Sequence, residues 1–152
     1  MVQKALKPFF FDAKGLLKAA IRDNNPVLFL EYKIFYRWKP ESLSPELRLT
    51  VPEEDYVVPI GKARVVKEGK CFSVIAYGSQ VLRAVEAVRR VESEDGVSIE
   101  LIDLRSLVPY ASNCIQRSAH KISYAAASMP WIYRWYADRR SPGDFTPTPW
   151  ED

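Results

Sequence analysis

One stretch of the chain constrains its fold more than any other, because two apolar segments flank a helix-like segment at short spacing. The first apolar segment runs from Cys71 to Tyr77, and the second runs from Val97 to Leu104. Between them, Val and Leu recur at helical spacing from Gln80 to Glu94, and Asp95-Gly96 predicts the end of that helix. Strand, helix and strand joined by short turns predict a βαβ unit whose two strands are parallel.

A helix and a strand are also predicted upstream of this unit. The helix is expected from Asp12, which can cap its amino end, to about Arg22. Asn and Asp side chains bond their own backbone and Pro cannot continue a helix, so residues 23–26 predict a turn. The strand is expected at Val27 to Glu31, and its continuous apolar character is typical of a parallel sheet buried on both faces. The apolar face of the helix is formed by Leu16, Leu17, Ala20 and Ile21.

The segments around these elements are less regular. Trp38 to Pro59 is rich in proline and acidic residues, so it predicts a stiff connector without regular ladders. A short edge strand is expected at Ala63 to Val66. Asn113 to Ala127 predicts a weakly patterned helix, and Ser128 to Asp152, rich in Trp and Pro, predicts loop or disorder.

Composition limits the classes of protein that the chain can belong to. Its 152 residues are enough for one domain with a core, and 47% hydrophobic with 27% charged residues is typical of a globular protein. A net charge of +3, carried by scattered Lys and Arg, argues against a nucleic-acid partner. No apolar run approaches the roughly 20 residues that span a bilayer, so no membrane partner is expected. Cys71 and Cys114 lack metal-like spacing, which favours reduced thiols in a reducing compartment.

Three motifs in order resemble a known family. Asn25 to Arg37 resembles the Asn-Pro-hydrophobic segment of the beta subunit of thiamine-diphosphate-dependent 2-oxoacid dehydrogenases, which include the pyruvate and branched-chain types. Val51 to Ala63 is similar to the linker of that family. Phe72 to Val81 and Leu101 to Tyr110 are similar to the opening of its carboxy-terminal domain, and the resemblance decays after Tyr110.

The resemblance implies a fold and a division of the chain. The expected fold class is α/β and partial transketolase-like, with a parallel sheet, a βαβ unit and an irregular carboxy-terminal tail. Residues 1–37 would be a remnant of the pyrimidine-binding domain and residues 38–60 the linker. Residues 61–111 would be the first part of the transketolase carboxy-terminal domain, followed by a divergent, irregular tail over residues 112–152.

The resemblance also implies a function. The chain would be a partial beta subunit, inactive alone, of an enzyme that oxidatively decarboxylates pyruvate or a branched-chain 2-oxoacid and passes the acyl group to a lipoyl carrier. Thiamine diphosphate and magnesium would act in the complete enzyme only, because the family's activating glutamate precedes the region matching Asp12, and Glu31 is not that glutamate. The implied partners are the alpha subunit and the acyltransferase core, in the cytoplasm or alternatively in mitochondria. No catalytic or cofactor-binding residue is predicted in this chain.

Two alternatives to this function remain open. One is a non-catalytic module that keeps only the surface for subunit assembly. The other is a truncated or frame-disrupted fragment without function, which the loss of pattern at Ala111 favours.

Two sets of residues are candidates for sites. The family's potassium ion would lie near Ala20, Asp23 and Asn25, although an ordinary helix-terminating turn explains the same residues. The second set is predicted to form a subunit interface, since aromatic residues and Arg are enriched at interfaces, or alternatively to form the solvated end of a strand. Its members are Glu31, Lys33, Tyr36 and Arg37.

Overall fold

The described part of the chain builds two sheets, and a helix packs on each. The computed structural model describes residues 3–7, 9–37, 39–121 and 124–127. The strands are β1 (Gln3–Lys7), β2 (Val27–Glu31), β3 (Arg64–Lys67), β4 (Phe72–Ala76), β5 (Ile99–Asp103), β6 (Ser106–Val108) and β7 (Tyr124–Ala127). The helices are α1 (Phe10–Arg22), α2 (Gln80–Asp95) and α3 (Ser112–Lys121), and short 3₁₀ helices occupy Lys33–Arg37, Pro40–Ser42 and Pro45–Leu47.

The larger sheet contains the predicted βαβ unit. Its strand order is β3-β5-β4-β7, and β4 runs parallel to β5 with Phe72 opposite Ile99. Helix α2 connects the two strands and ends at Gly96, whose φ of 65° lies in the left-handed region that glycine tolerates. Strand β3 pairs antiparallel with β5 at the edge, so the expected parallel sheet is in fact mixed.

The smaller sheet joins the first two strands of the chain to β6. Its order is β2-β1-β6, with β1 parallel to β2 and antiparallel to β6. The pairing of Ala5 with Ser106 links the expected pyrimidine-domain remnant directly to the expected carboxy-terminal domain. The sequence did not predict β1, because five residues with two lysines carry no apolar run.

The core lies between α2 and the larger sheet. The apolar face of the helix buries Val81, Val85 and Val88, and Leu101 of β5 packs in the same cluster. The proline-rich connector also contributes, because Leu43 and Leu47 are buried against this cluster. Over its described residues 39–59 the connector contains no strand, as predicted, yet it covers part of the core.

The expected irregular tail over residues 112–152 was wrong for its first part, because residues 112–121 form α3 and residues 124–127 form β7. The predicted helix over Asn113 to Ala127 was wrong in its second half, since α3 ends at Lys121 and Tyr124–Ala127 forms β7. Alanine favours helices, but β7 pairs in parallel with β4, and this tertiary pairing overrides the local preference. The expected loop over Ser128 to Asp152 lies outside the described residues.

The connector crosses α1 at a glycine. The Val58 amide donates to the Gly15 carbonyl at 3.1 Å, and the Tyr56 hydroxyl donates to the Phe11 carbonyl at 2.8 Å. A Cβ atom on Gly15 would lie 2.5 Å from Val58 Cγ2 and 3.0 Å from the Val58 nitrogen. The glycine that weakened the helix prediction is thus required by the close approach of the connector.

We expect Gly15→Ala to lower the free energy of unfolding by about 1–2 kcal/mol, because the overpacking cost exceeds the gain of up to about 1 kcal/mol in helix propensity. Urea denaturation followed by circular dichroism measures this change. Stabilisation, as helix propensity alone predicts, would contradict the close packing at this crossing.

Candidate functional site: an exposed strand end and a buried charge cluster

The predicted interface residues lie together where β2 ends. Glu31 is the last residue of β2, and Lys33, Tyr36 and Arg37 lie on the 3₁₀ helix that follows. All four are exposed, and the Tyr36 hydroxyl donates to Glu31 Oε2. This hydrogen bond raises the pKa of Tyr36 above its usual value. We call these four residues the strand-end surface; its role as an interface stays a prediction.

Buried aromatic rings hold the strand-end surface in place. Phe35 is 8% exposed and contacts Phe9 at a centroid distance of 6.2 Å and Tyr32 at 5.8 Å. The Tyr32 ring lies against Gly78, where a Cβ would come within 2.6 Å of Tyr32 Cε2. Gly78 has a φ of 55°, so the corner before α2 needs glycine for both its conformation and this contact. The strand-end surface is thus seated on the βαβ unit.

The three residues of the predicted potassium site also lie together. The Asp23 amide donates to the Ala20 carbonyl at 3.4 Å, and Asp23 Oδ1 accepts from the backbone and side-chain nitrogens of Asn25 at 2.8 and 2.9 Å. Gln3 Nε2 donates to Asp23 Oδ2 at 3.0 Å. The backbone hydrogen bond from Asn25 is the largest of the effects that lower the pKa of Asp23.

These contacts are those of a helix-terminating turn. Of the three predicted residues only Asp23 brings a carboxylate, and both of its oxygens accept hydrogen bonds. Among the described residues, no group of three or more His, Cys, Asp and Glu side chains could hold a metal ion. The potassium site therefore stays a prediction.

A buried charge cluster that the sequence did not indicate lies between α1 and the larger sheet. Asp12 is fully buried and does not cap α1, whose N-cap residue is Phe9. Instead, Asp12 Oδ1 lies 2.6 Å from Arg105 Nη2. Arg64 of β3 is the strand partner of Asp103 in β5. We call Asp12, Arg64, Asp103 and Arg105 the charge cluster.

The turn after β5 sets the position of Arg105. Its φ of 58° lies in the left-handed region, which is uncommon for a residue other than glycine. Asp103 Oδ1 accepts a hydrogen bond from the Arg105 amide at 3.1 Å and so supports this conformation. Asp103 is therefore both a member of the charge cluster and the support of the turn that presents Arg105 to Asp12.

Burial dominates the electrostatics of the charge cluster. Burial and then the charge of Asp12 raise the pKa of Asp103 to about 7. Burial also raises the pKa of Asp12, although Arg105 and Arg64 oppose the change. Burial lowers the pKa of Arg64, because removal of its guanidinium from water disfavours the charged form.

A second buried polar group fixes α3 on the larger sheet. The Ser73 hydroxyl of β4 donates to Glu100 Oε2 of β5 at 2.8 Å, and the Ser118 hydroxyl of α3 donates to the same oxygen. All three residues are at most 5% exposed. Ser98 and Glu100 alternate with apolar residues in the sequence, yet every residue of β5 is buried. Hydrogen bonding to two hydroxyls compensates Glu100 for its burial.

The described helices are all too short or too polar to cross a membrane.

Comparison with known proteins gives similar sequences and a similar fold. Residues 61–127 match the family described as transketolase, C-terminal domain, so the similarity extends beyond Tyr110, where the motifs decay. The chain is 46% identical over 111 residues to the 2-oxoisovalerate dehydrogenase subunit beta of Bacillus subtilis, covering 73% of this chain and 31% of that protein. It is 47% identical over 111 residues to the pyruvate dehydrogenase E1 component subunit beta of Acholeplasma laidlawii, with the same coverage.

Two further comparisons set the scope of this similarity. The mitochondrial 2-oxoisovalerate dehydrogenase subunit beta of Dictyostelium discoideum is 43% identical over 110 residues, covering 72% of this chain and 28% of that protein. A solved structure of a split-gene transketolase, an inactive beta4 tetramer, superposes with a TM-score of 0.63 at 24% identity, covering 83% of this chain and 38% of that one, which shows the fold. The chain spans about a third of the length of these curated relatives.

Proposed function

We propose that this chain, whose residues 61–127 match the transketolase C-terminal domain family, acts as part of the beta subunit of a 2-oxoacid dehydrogenase of the pyruvate or branched-chain type. The observation that carries the proposal is 46–47% identity to two such subunits over 73% of the chain. The relatives include both substrate types at similar identity, so the proposal extends to the class of 2-oxoacid and not to one member.

In the complete enzyme, thiamine diphosphate with magnesium would supply the carbanion chemistry of decarboxylation, and the acyl group would pass to a lipoyl carrier on an acyltransferase core. This chain would contribute structure to that enzyme. The larger sheet would form the structural core of this part of the subunit. The strand-end surface would contact a partner subunit through its charged side chains and its aromatic ring. A potassium ion at Ala20, Asp23 and Asn25 remains part of the proposal as a structural element. The place of action would be the cytoplasm, or alternatively the mitochondrion.

The strand-end surface is proposed to contact the alpha subunit. Tyr36 is 60% exposed although it is a large aromatic residue, and exposed aromatic residues beside Arg are enriched at interfaces. The neighbouring Phe35 is anchored in the core, so Tyr36 is presented on a fixed backbone and loses little conformational freedom on binding.

We expect the chain to co-purify with a coexpressed alpha subunit of a 2-oxoacid dehydrogenase. Tyr36→Ala and Arg37→Ala should each weaken the complex by about tenfold, as measured by titration calorimetry. Arg90→Ala is the matched control, since Arg90 is 78% exposed on α2 and pairs only with Glu94 of the same helix in the described structure. Unchanged affinity of both interface variants would show that the strand-end surface is not part of the interface. Failure of the wild-type chain to bind the alpha subunit would contradict the proposed function.

A separate expectation concerns activity. The purified chain with thiamine diphosphate and magnesium should decarboxylate neither pyruvate nor a branched-chain 2-oxoacid above the rate of the cofactor alone. A complete 2-oxoacid dehydrogenase serves as the positive control in the same carbon dioxide release assay. Turnover that is abolished by a substitution in this chain would contradict a purely structural contribution.

Coexpression with the alpha subunit, followed by the same decarboxylation assay on the resulting complex, separates the alternatives. A chain that binds the alpha subunit and supports decarboxylation in the complex is a subunit of the enzyme. A chain that binds but supports no decarboxylation is an assembly module. A chain that does neither corresponds to the fragment without function.

A further inference from the structure

The charge cluster connects elements that are far apart in sequence. Asp12 comes from α1, Arg64 from β3, and Asp103 and Arg105 from β5 and the turn after it. Asp12 and Asp103 are fully buried, and the Arg105 side chain is 12% exposed. The ion pair between Asp12 and Arg105 therefore ties the first helix to the larger sheet through charges removed from water.

The connection continues into the connector and α2. Arg64 Nη2 donates to the Glu46 carbonyl at 2.6 Å. The Glu46 carboxylate accepts from Arg89 Nε at 2.9 Å and from Arg89 Nη2 at 2.5 Å. A chain of polar contacts thus runs from α1 through the charge cluster to the connector and to α2, and movement of α1 away from the larger sheet would strip buried charges of their partners.

The hydrogen bonding inside the charge cluster is incomplete in the described structure. Asp12 Oδ1, Asp12 Oδ2 and Asp103 Oδ2 are buried acceptors without a hydrogen-bond donor, although Asp12 Oδ1 forms the ion pair with Arg105. Arg64 Nη1 and Arg105 Nε are buried donors without an acceptor. Three carboxylate oxygens that lack a hydrogen-bond donor are a costly arrangement, and a proton on one carboxyl group lowers this cost because it removes a buried negative charge.

We propose that the charge cluster is a latch that ties α1 to the larger sheet and that carries one proton, located on Asp103. Asp12 contacts a guanidinium directly, whereas the hydrogen bond to Asp103 comes from the backbone amide of Arg105. The proton therefore belongs on Asp103, and Asp12 stays ionised opposite Arg105. This inference concerns the fold and does not depend on the proposed function.

The groups that face Asp103 come from each neighbouring element. They are Asp12 of α1, Arg64 of β3 and Arg105 of its own turn. Strand β4 places Ala76 opposite Asp103 and adds no titratable group there. Tyr56 of the connector faces Asp12, and burial followed by the charge of Asp12 raises the pKa of that phenol. Of this set, Asp103 is the group whose pKa lies at about 7 in the folded chain.

The direction of the pH dependence follows from this raised value. The pKa of Asp103 rises from an ordinary 3.8 in an unfolded chain to about 7 in the folded one, so the folded state binds more protons between these values. The contribution of Asp103 to stability is therefore complete below about pH 4, and it is lost as the pH rises to about 7. The latch should loosen on alkalinisation and change little above that range.

Hydrogen exchange of the full chain tests the latch as a function of pH. Protection factors, which divide out the intrinsic exchange rate at each pH, are measured for peptides covering residues 3–7 and 103–108. The ratio of protection in Asp103→Asn to protection in the wild type should rise by up to about tenfold per pH unit above about pH 4 and level off above about pH 7. A ratio that is constant with pH would overturn the proton on Asp103.

A titration of the wild-type chain gives the same answer without a substitution. The carbon chemical shift of the Asp103 carboxyl should titrate with a midpoint near 7, and a midpoint near 4 would overturn the proposal. This measurement covers the case in which Asp103→Asn does not fold.

Substitution of Asp12 tests whether the latch ties α1 to the larger sheet. Asp12→Asn should lower protection at about pH 6 in both peptides, because it leaves Arg105 without its carboxylate. The matched control is Asp55→Asn, which removes an exposed carboxylate paired with Lys18 and Arg22 of the same helix α1 and should leave both peptides unchanged. Equal protection in Asp12→Asn and wild type would show that the charge cluster does not hold α1.

Discussion

Replacing Val85 with aspartate is expected to unfold the chain. Val85 lies at the centre of the apolar face of α2, is 3% exposed and packs in one cluster with Leu101. An ionised carboxylate there would have no partner in the apolar cluster, and burying it, or protonating it to avoid the charge, costs several kcal/mol. This cost is comparable to the total stability of a domain, about 5–15 kcal/mol. Circular dichroism and thermal denaturation measure the loss.

The control for this prediction lies on the same helix. Val91 is 37% exposed, so Val91→Asp places the same charge in contact with water and should change stability by about 0.5 kcal/mol or less. The comparison separates burial from any effect of aspartate on helix propensity. Equal melting temperatures for Val85→Asp and the wild type would show that α2 does not face the core at this position.

Replacing Gly69 with alanine is expected to disrupt the start of the larger sheet. A Cβ atom at this position would lie 2.1 Å from the Glu100 nitrogen and 2.1 Å from the Ile99 carbonyl carbon, both of which are backbone atoms. The backbone there cannot give easily, because the amides of Lys70 and Cys71 both donate to the Ser98 carbonyl, at 3.3 and 2.9 Å. We expect a loss of about 3 kcal/mol or more in the free energy of unfolding, measured by urea denaturation.

Gly96→Ala is the matched control for this second prediction. Gly96 has no atom within 4 Å of an added Cβ, but its φ of 65° makes alanine unfavourable by about 1–2 kcal/mol. At Gly69 the added Cβ atom would clash with neighbouring backbone atoms, whereas the backbone conformation itself does not require glycine. A smaller effect of Gly69→Ala than of Gly96→Ala would contradict the close backbone approach between the turn and β5.

The local pattern of the sequence was sufficient for several elements. Val27–Glu31 is a strand with the predicted bounds, and α2 begins at Gln80 as predicted and ends one residue later than Glu94. The parallel pairing of β4 with β5 is confirmed. Helix α2 shows a helical period and the strands are short apolar runs between turn residues, and both patterns are legible without a partner. The expected burial of Val27 to Glu31 on both faces was wrong, because β2 lies at the edge of its sheet and Leu28 is 46% exposed.

The candidate sites were only partly accessible from the sequence. Its motifs identified the strand-end surface, which the fold does bring together at Glu31 and Tyr36. The sequence does not reveal the charge cluster, because an aspartate near the start of a helix predicts an N-cap residue. Asp12 lies in the first turn of α1 and is buried, and the sequence pattern is the same in both cases. The one available signal was the Asp103-Leu-Arg105 pattern, in which charges end an apolar run.

Sequence alone determined the elements that carry their own hydrophobic period, together with the family motifs. Tertiary structure alone decided the pairing of β1 with β6, the strand character of β7 and the ion pair between Asp12 and Arg105. Each of these depends on a partner 52 or more residues away, which supplies the missing hydrogen bonds or the opposite charge. A short polar or alanine-rich segment has several conformations of similar free energy, so the partner that it meets in the folded chain selects among them.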